Sequence, residues 1–143
     1  MKQEYKELLL KDLCARLPYN IICKVEFRES GEYKSKNMFL SGVFTDEAYF
    51  TTKGGSIYSN EYKPYLFPLS SMTSEQLFEV QEIMGKNEIE IEDGFFNIID
   101  SSRNTITYLE ILAVLEWFYK NHFDINGLIE KGLAIDATGL NIY

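Results

Sequence analysis

The run TYLEILAVLEWFYKNHFDINGLIEKGL, Thr107 to Leu133, decides the fold. At about 100° per residue, Tyr108, Ile111, Leu112, Leu115, Phe118, Tyr119 and His122 fall on one stripe of a helix. Leu109, Ala113 and Trp117 widen the apolar surface, and Glu110, Glu116, Lys120 and Asn121 hold the remainder. A helix this apolar is expected to be the main core element, covered on more than one side, with Trp117 shut away from solvent. Thr107 and Glu110 have capping-box spacing, and Ile106 and Ile111 the spacing of a hydrophobic staple. Glu116 stands four residues before Lys120, the favourable orientation for a surface ion pair. The helix is expected to stop near Asn121 or His122. Asp124 then offers a carboxylate to the free N–H groups of a new turn, Ile125 to Lys131. Gly132 is placed to end that turn in a left-handed conformation.

Working outward, Glu4 to Leu17 reads as a helix with Leu9, Leu10, Leu13, Cys14 and Leu17 on one face, and Pro18 blocks its continuation. Asn20 to Arg28 alternates as a strand, with Ile21, Cys23, Val25 and Phe27 inward. Glu29 to Lys36 is polar, contains Gly31 and reads as a hairpin loop. Met38 to Thr45 is a second strand in which Gly42 marks a bulge or bend. Ala48 to Thr52 and Ile57-Tyr58 follow as short strands, separated by turns at Asp46-Glu47 and Gly54-Gly55. Tyr62 to Phe67, bounded by Pro64 and Pro68, belongs at an edge or leaving the sheet. Thr73 with Gln76 caps a helix over Ser74 to Met84, which turns Leu77, Val80, Ile83 and Met84 inward and ends at Gly85. Glu88 to Glu92, the turn Asp93-Gly94 and Phe95 to Ile99 make a hairpin that pairs Ile91 with Phe96 and Ile89 with Ile98. Ala134 to Tyr143 is expected to be a loose tail.

Runs of strands rather than strict alternation favour α+β over a parallel α/β sheet. The expectation is one domain over 1–143. It comprises a small antiparallel, barrel-like sheet and a β-hairpin, packed on a central C-terminal helix and two further helices.

The 143 residues include ten Tyr, ten Phe and one Trp, enough for a core and a surface patch. Lys plus Arg number 14 and Asp plus Glu 22, a formal charge of −8. That argues against sequence-independent nucleic-acid binding and against an anionic membrane surface. It leaves basic protein partners open. The opening Met1 to Glu7 followed by only Leu8-Leu9-Leu10 lacks a signal-peptide pattern, and no run nears the roughly 18 apolar residues of a span. A cytoplasmic setting is expected, with Cys14 and Cys23 free, buried and reduced.

Each candidate site has a structural reading beside the functional one. Glu88, Glu90 and Glu92, with Asp93, form an acidic stripe that suits a metal or a basic partner. No His or second carboxylate converges on it, so a solvated strand face is the simpler reading. His122 is the single histidine, and a nucleophilic triad would need it. No nucleophile elbow accompanies it, and a helix end suits a structural histidine capping carbonyls. Lys53-Gly54-Gly55-Ser56 lacks phosphate-loop spacing and reads as a turn. Among Tyr49, Phe50, Tyr58, Tyr62, Tyr65 and Phe67, most belong to the core. Alternation still sends some outward, where they would form a patch for a protein partner. No catalytic residue, metal-ligand set or cofactor motif is read. The candidate binding residues are Tyr62, Tyr65, Phe67, Glu88, Glu90 and Glu92.

Lys63-Pro64-Tyr65-Leu66-Phe67-Pro68-Leu69-Ser70-Ser71-Met72-Thr73, and His122-Phe123-Asp124 through Gly127-Leu128-Ile129-Glu130-Lys131-Gly132-Leu133-Ala134, resemble motifs in a family of small uncharacterised proteins. That family occurs in gut bacteria, their phages and other mobile elements. The resemblance implies a mobile-element context and an intracellular setting, and carries over no functional residue. The leading expectation is therefore a non-enzymatic protein-binding or structural protein. The alternatives are an acidic inhibitor that imitates nucleic acid toward a basic host protein, and a small-ligand binder or enzyme.

Overall fold

The structure is a computed structural model and describes residues 2–85, 88–93, 95–99 and 107–143. Helix α1, Gln3–Arg16, stops where Pro18 enters a single 3-10 turn, Leu17–Tyr19. Five strands follow: β1 Ile22–Glu29, β2 Glu32–Val43, β3 Ala48–Thr52, β4 Gly55–Ser59 and β5 Glu61–Leu66. Helix α2, Ser74–Ile83, precedes the hairpin of β6, Glu88–Glu92, and β7, Phe95–Ile99. Helix α3 spans Tyr108–Lys120, and β8 is only Ile135–Asp136.

The sheet order is β4-β3-β2-β1-β5-β8. Its first five strands are antiparallel, and β8 adds in parallel beside Tyr65 and Leu66. The sheet is mixed and open, and does not close into a barrel. Strand β5 lies between β1 and the two-residue β8, so among the described residues most of its outer edge has no strand beside it. The loop expected over Glu29 to Lys36 is a turn at Ser30-Gly31, and β2 runs almost the whole way back to it. Gly31 takes φ +87° and Ser30 φ +54° there, which lets the pairing begin at Glu29 and Glu32. The register shifts between Leu40 and Gly42, leaving Ser41 as the extra residue of a bulge.

One face of the sheet is dry. Ile21, Cys23, Val25, Leu40, Ala48, Phe50 and Leu66 are buried there beneath Leu9 and Leu13 of α1, joined by Leu128, Leu133 and Ala134. The covering helix is therefore α1, together with the segment after α3, rather than α3 itself. Helix α3 packs with α2 in a second cluster, where Val80, Met84, Val114, Phe118, Phe123 and Leu69 are buried. Trp117 is half-buried between the two helices; its indole N–H donates to Glu79 at 3.1 Å, and its ring stacks on Phe123 at 5.7 Å. Ile111 and Leu112, expected inside, are 40% and 42% exposed.

Helix α1 is rolled relative to its leucine pattern. Its buried residues are Leu9, Asp12, Leu13 and Arg16, while Cys14 is exposed and Leu17 is 37% exposed. Asp12 and Arg16 can occupy the inner face because they neutralise each other one turn apart.

Several local readings hold. Both capping boxes, Thr73 with Gln76 and Thr107 with Glu110, are formed. The hairpin pairs Ile91 with Phe96 and Ile89 with Ile98. Asp93 takes φ +50°, as a primed turn requires, and Gly94 lies outside the described residues. Ile106, one half of the expected staple, also lies outside them. Glu116 accepts from the Tyr19 hydroxyl at 3.1 Å, and no Glu116–Lys120 bridge is among those of the described residues.

Candidate functional site

Tyr62, Tyr65 and Phe67 do not make one exposed patch. Tyr65 is 7% exposed, and its hydroxyl donates to Asn37 at 3.0 Å. Phe67 lies between Phe123 and Tyr143, with ring centroids 6.1 Å and 5.9 Å away. Tyr62 packs on Phe50 at 5.1 Å and borders a cleft of about 410 Å³ with Lys24, Glu26, Glu61, Lys63 and Ile135. Open aromatic surface lies elsewhere on the sheet. Tyr58, 57% exposed, contacts Tyr49 at 4.8 Å and Phe44, 52% exposed, at 6.0 Å. The strand alternation around buried Ala48 and Phe50 already sets Tyr49 on that opposite face.

Of the acidic stripe, Glu90 and Glu92 are exposed on β6, and Glu88 takes its ladder position opposite Ile99. Between Glu90 and Glu92, Ile91 packs against the second core. Among the described residues, no group of three or more His, Cys, Asp or Glu is placed to hold a metal ion.

A polar centre missed in the sequence reading lies beneath α1. Arg16 and Asp12 form a two-bonded ion pair, 2.6 Å and 3.1 Å, with both side chains fully buried. Arg16 also donates to the Phe123 carbonyl at 2.7 Å, and its guanidinium lies 5.0 Å from the Tyr119 ring centre. Asn126 donates to Asp12 at 2.8 Å. The centre thus ties α1 to α3 and to the turn after it. Sequence reading passes over Asp12 and Arg16 because charged residues default to the surface. Their i,i+4 spacing was the available cue.

His122 stands beside this centre. It occupies the left-handed residue of a Schellman ending, φ +61°. Its N–H donates to Tyr119 and the Phe123 N–H to Phe118. The imidazole does not cap carbonyls as expected. It stacks on Tyr143 at 4.0 Å, and its Nδ1 is buried with no hydrogen-bond partner among the described residues. Burial first, and the Arg16 charge second, hold its pKa down to about 4, so it is neutral at pH 7. Among the described residues, no hydroxyl or thiol is hydrogen-bonded to that nitrogen. Burial pushes the Cys23 thiol well up, far from a thiolate. The Asp124 oxygens both accept backbone N–H groups, from Leu128 at 2.9 Å and Ile129 at 2.8 Å, as the capping reading expects.

The tail expected to be loose is docked. Ala137 donates to the Leu66 carbonyl, and Ala134 and Ala137 are buried. The Tyr143 hydroxyl donates to the Tyr65 carbonyl at 2.7 Å and accepts from the Ile22 N–H at 3.3 Å. In the β1–β5 register, Ile22 and Tyr65 would be the next pair after Cys23 and Pro64. The phenol therefore bridges two strands where their ladder opens. Tyr143 as a residue is 44% exposed, while its hydroxyl is inserted between the two strands.

Charge is divided along the chain. Up to Phe67 there are ten Lys and Arg against nine Asp and Glu; from Pro68 onward there are four against thirteen. The whole negative excess thus belongs to the part that contains α2, the hairpin and α3. In that same part, Tyr108 is 72% and Leu109 75% exposed at the start of α3. No helix among the described residues is long and apolar enough to cross a membrane. No family model, curated protein or solved structure matches this chain.

Proposed function

We propose that this is a non-enzymatic binding protein that works inside the cell by docking a protein partner on its acidic helical part. The observation that carries this reading is the open apolar stripe at the start of α3, set in the part of the chain with thirteen carboxylates and four cations. Apolar anchors rimmed by charge are the usual make-up of a protein contact surface. The buried Arg16–Asp12 pair and the Asp124 cap hold the fold together, which fits a scaffold whose work is done at its surface. The resemblance of its two motif segments supports a phage or mobile-element setting.

The test is quantitative recovery of partners from the native host with wild type, Leu109→Gln/Leu112→Gln and, as a control, Phe44→Gln/Tyr58→Gln. Specific loss with the α3 pair supports the reading. Equal recovery with all three sinks it.

A second reading is an acidic inhibitor that stands in for nucleic acid on a basic host protein. The exposed Glu90 and Glu92 on β6, within the acidic part, favour it. It requires binding that weakens steeply with salt and that Glu90→Gln/Glu92→Gln impairs more than the α3 pair does.

A further inference from the structure

We infer that the partner segment is a cationic amphipathic helix lying along the first two turns of α3; this rests on the protein-docking reading above. Tyr108, Ile111 and Leu112 stand at i, i+3 and i+4, so they form one ridge on the helix, with Leu109 beside it. All four are at least 40% exposed. Farther along the same stripe, Leu115 and Tyr119 are only half-exposed, and Tyr119 lies under the Arg16 guanidinium. One ridge is thus covered by α1 at its C-terminal end and open at its N-terminal end.

Two physical arguments choose the occupant. A ridge of side chains on a helix is complemented by the grooves of another helix. Helix α3 has its own backbone groups paired internally and offers an extended peptide no edge to bond. Such a peptide would leave its amides facing apolar side chains. A helix brings its backbone already satisfied. Charge then sets the partner's polar face. Glu116 is exposed on α3 one turn beyond Leu112 on the same face, within the part of the chain that carries thirteen Asp and Glu against four Lys and Arg, so cations flanking the partner's apolar stripe meet opposite charge. An anionic membrane surface would meet the same carboxylates as repulsion.

The test uses the full chain and three synthetic probes of about 14 residues. The first is a Leu/Lys peptide with leucines at helical spacing. The second has the same composition with leucines alternating, and the third is a Leu/Glu helix. Zwitterionic phosphatidylcholine vesicles are a fourth arm. Binding is followed by fluorescence anisotropy and by backbone NMR shifts. The helical Leu/Lys probe is expected to bind with micromolar affinity and to shift the amides of Tyr108 to Leu112. The alternating probe and Leu109→Gln/Leu112→Gln each lose about tenfold or more, equivalent to roughly 1.4 kcal/mol.

Equal binding of helical and alternating probes, or shifts that map elsewhere, overturns the inference. So does vesicle binding that the double variant abolishes while no peptide binds. If the Leu/Glu helix binds best at these residues, the cationic partner is wrong while the docking surface stands. If host partners are also indifferent to the double variant, both readings fall together.

Discussion

Arg16 and Asp12 sit one helical turn apart, and solvent reaches neither side chain. Removing one member strands the other in an apolar interior. Asp12→Ala should therefore cost about 3–5 kcal/mol in urea unfolding, whereas Asp12→Leu/Arg16→Met should come within about 2 kcal/mol of wild type. A double variant as damaged as the single would show that the bonds to the Phe123 carbonyl and to Asn126 outweigh the mutual neutralisation. His122 gives a second prediction at this scale. Its folded pKa lies near 4 against an ordinary 6.5, so the unfolded chain takes up a proton first as pH falls. Stability is thus undiminished above pH 6.5 and declines toward pH 4, by about 2 kcal/mol once partial exposure is allowed for. His122→Asn keeps a residue tolerant of positive φ and removes the imidazole. The difference between the two stability–pH curves should hold this decline, and parallel curves would refute it. Neither residue's role was legible in the sequence. An ion pair reads as surface until a helix is seen to roll it inward, and a lone histidine gives no hint of what stacks on it.

Elements were legible where their cues are local. Thr107 with Glu110 and Thr73 with Gln76 state where helices begin, and both caps form. The hairpin register follows from alternation around Asp93, and Ile91 pairs with Phe96 in the ladder as expected. The cover over α3 was not legible. Periodicity fixes the angle between Ile111 and Phe118 around a helix axis, but says nothing of which neighbour arrives on which side. The stripe was real, and the sheet expected to lie over it turned to α1 instead. For the turn after α3, Asp124 is the element's support. Its two oxygens take the N–H groups of Leu128 and Ile129, and Gly132 closes the segment with φ +70°. Asp124→Ala should cost about 2–3 kcal/mol, since buried amides lose their acceptors, and Asp124→Asn about half of that. Thermal unfolding that ranks the two equally would show the cap to be dispensable.

The molecule as a whole has two apolar cores: Leu66 is buried in the first, and the next residue, Phe67, packs in the second beside Phe123, to which its backbone is bridged. Pairing across the seam runs through main-chain bonds from Phe67 to His122 and from Asp124 to Phe67, reinforced by Arg16 reaching the Phe123 carbonyl. Val80→Ala in the second core should cost about 1–2 kcal/mol. If the seam makes one cooperative unit, it should also lower the protection of β1 amides in hydrogen exchange by the same amount. Protection in β1 left untouched would mean two independently opening units. Such long-range joining is the part of the architecture that no local pattern encodes, because Phe67 and Phe123 are far apart in the chain. The tail adds a further tie. Tyr143→Phe should cost about 1–2 kcal/mol, because the Ile22 N–H and the Tyr65 carbonyl lose the hydroxyl that links them. That arrangement also bears on how the protein is handled at the bench. A fluorescent label attached at Tyr143 pulls on a peg of the sheet, whereas one on the exposed Lys2 side chain does not.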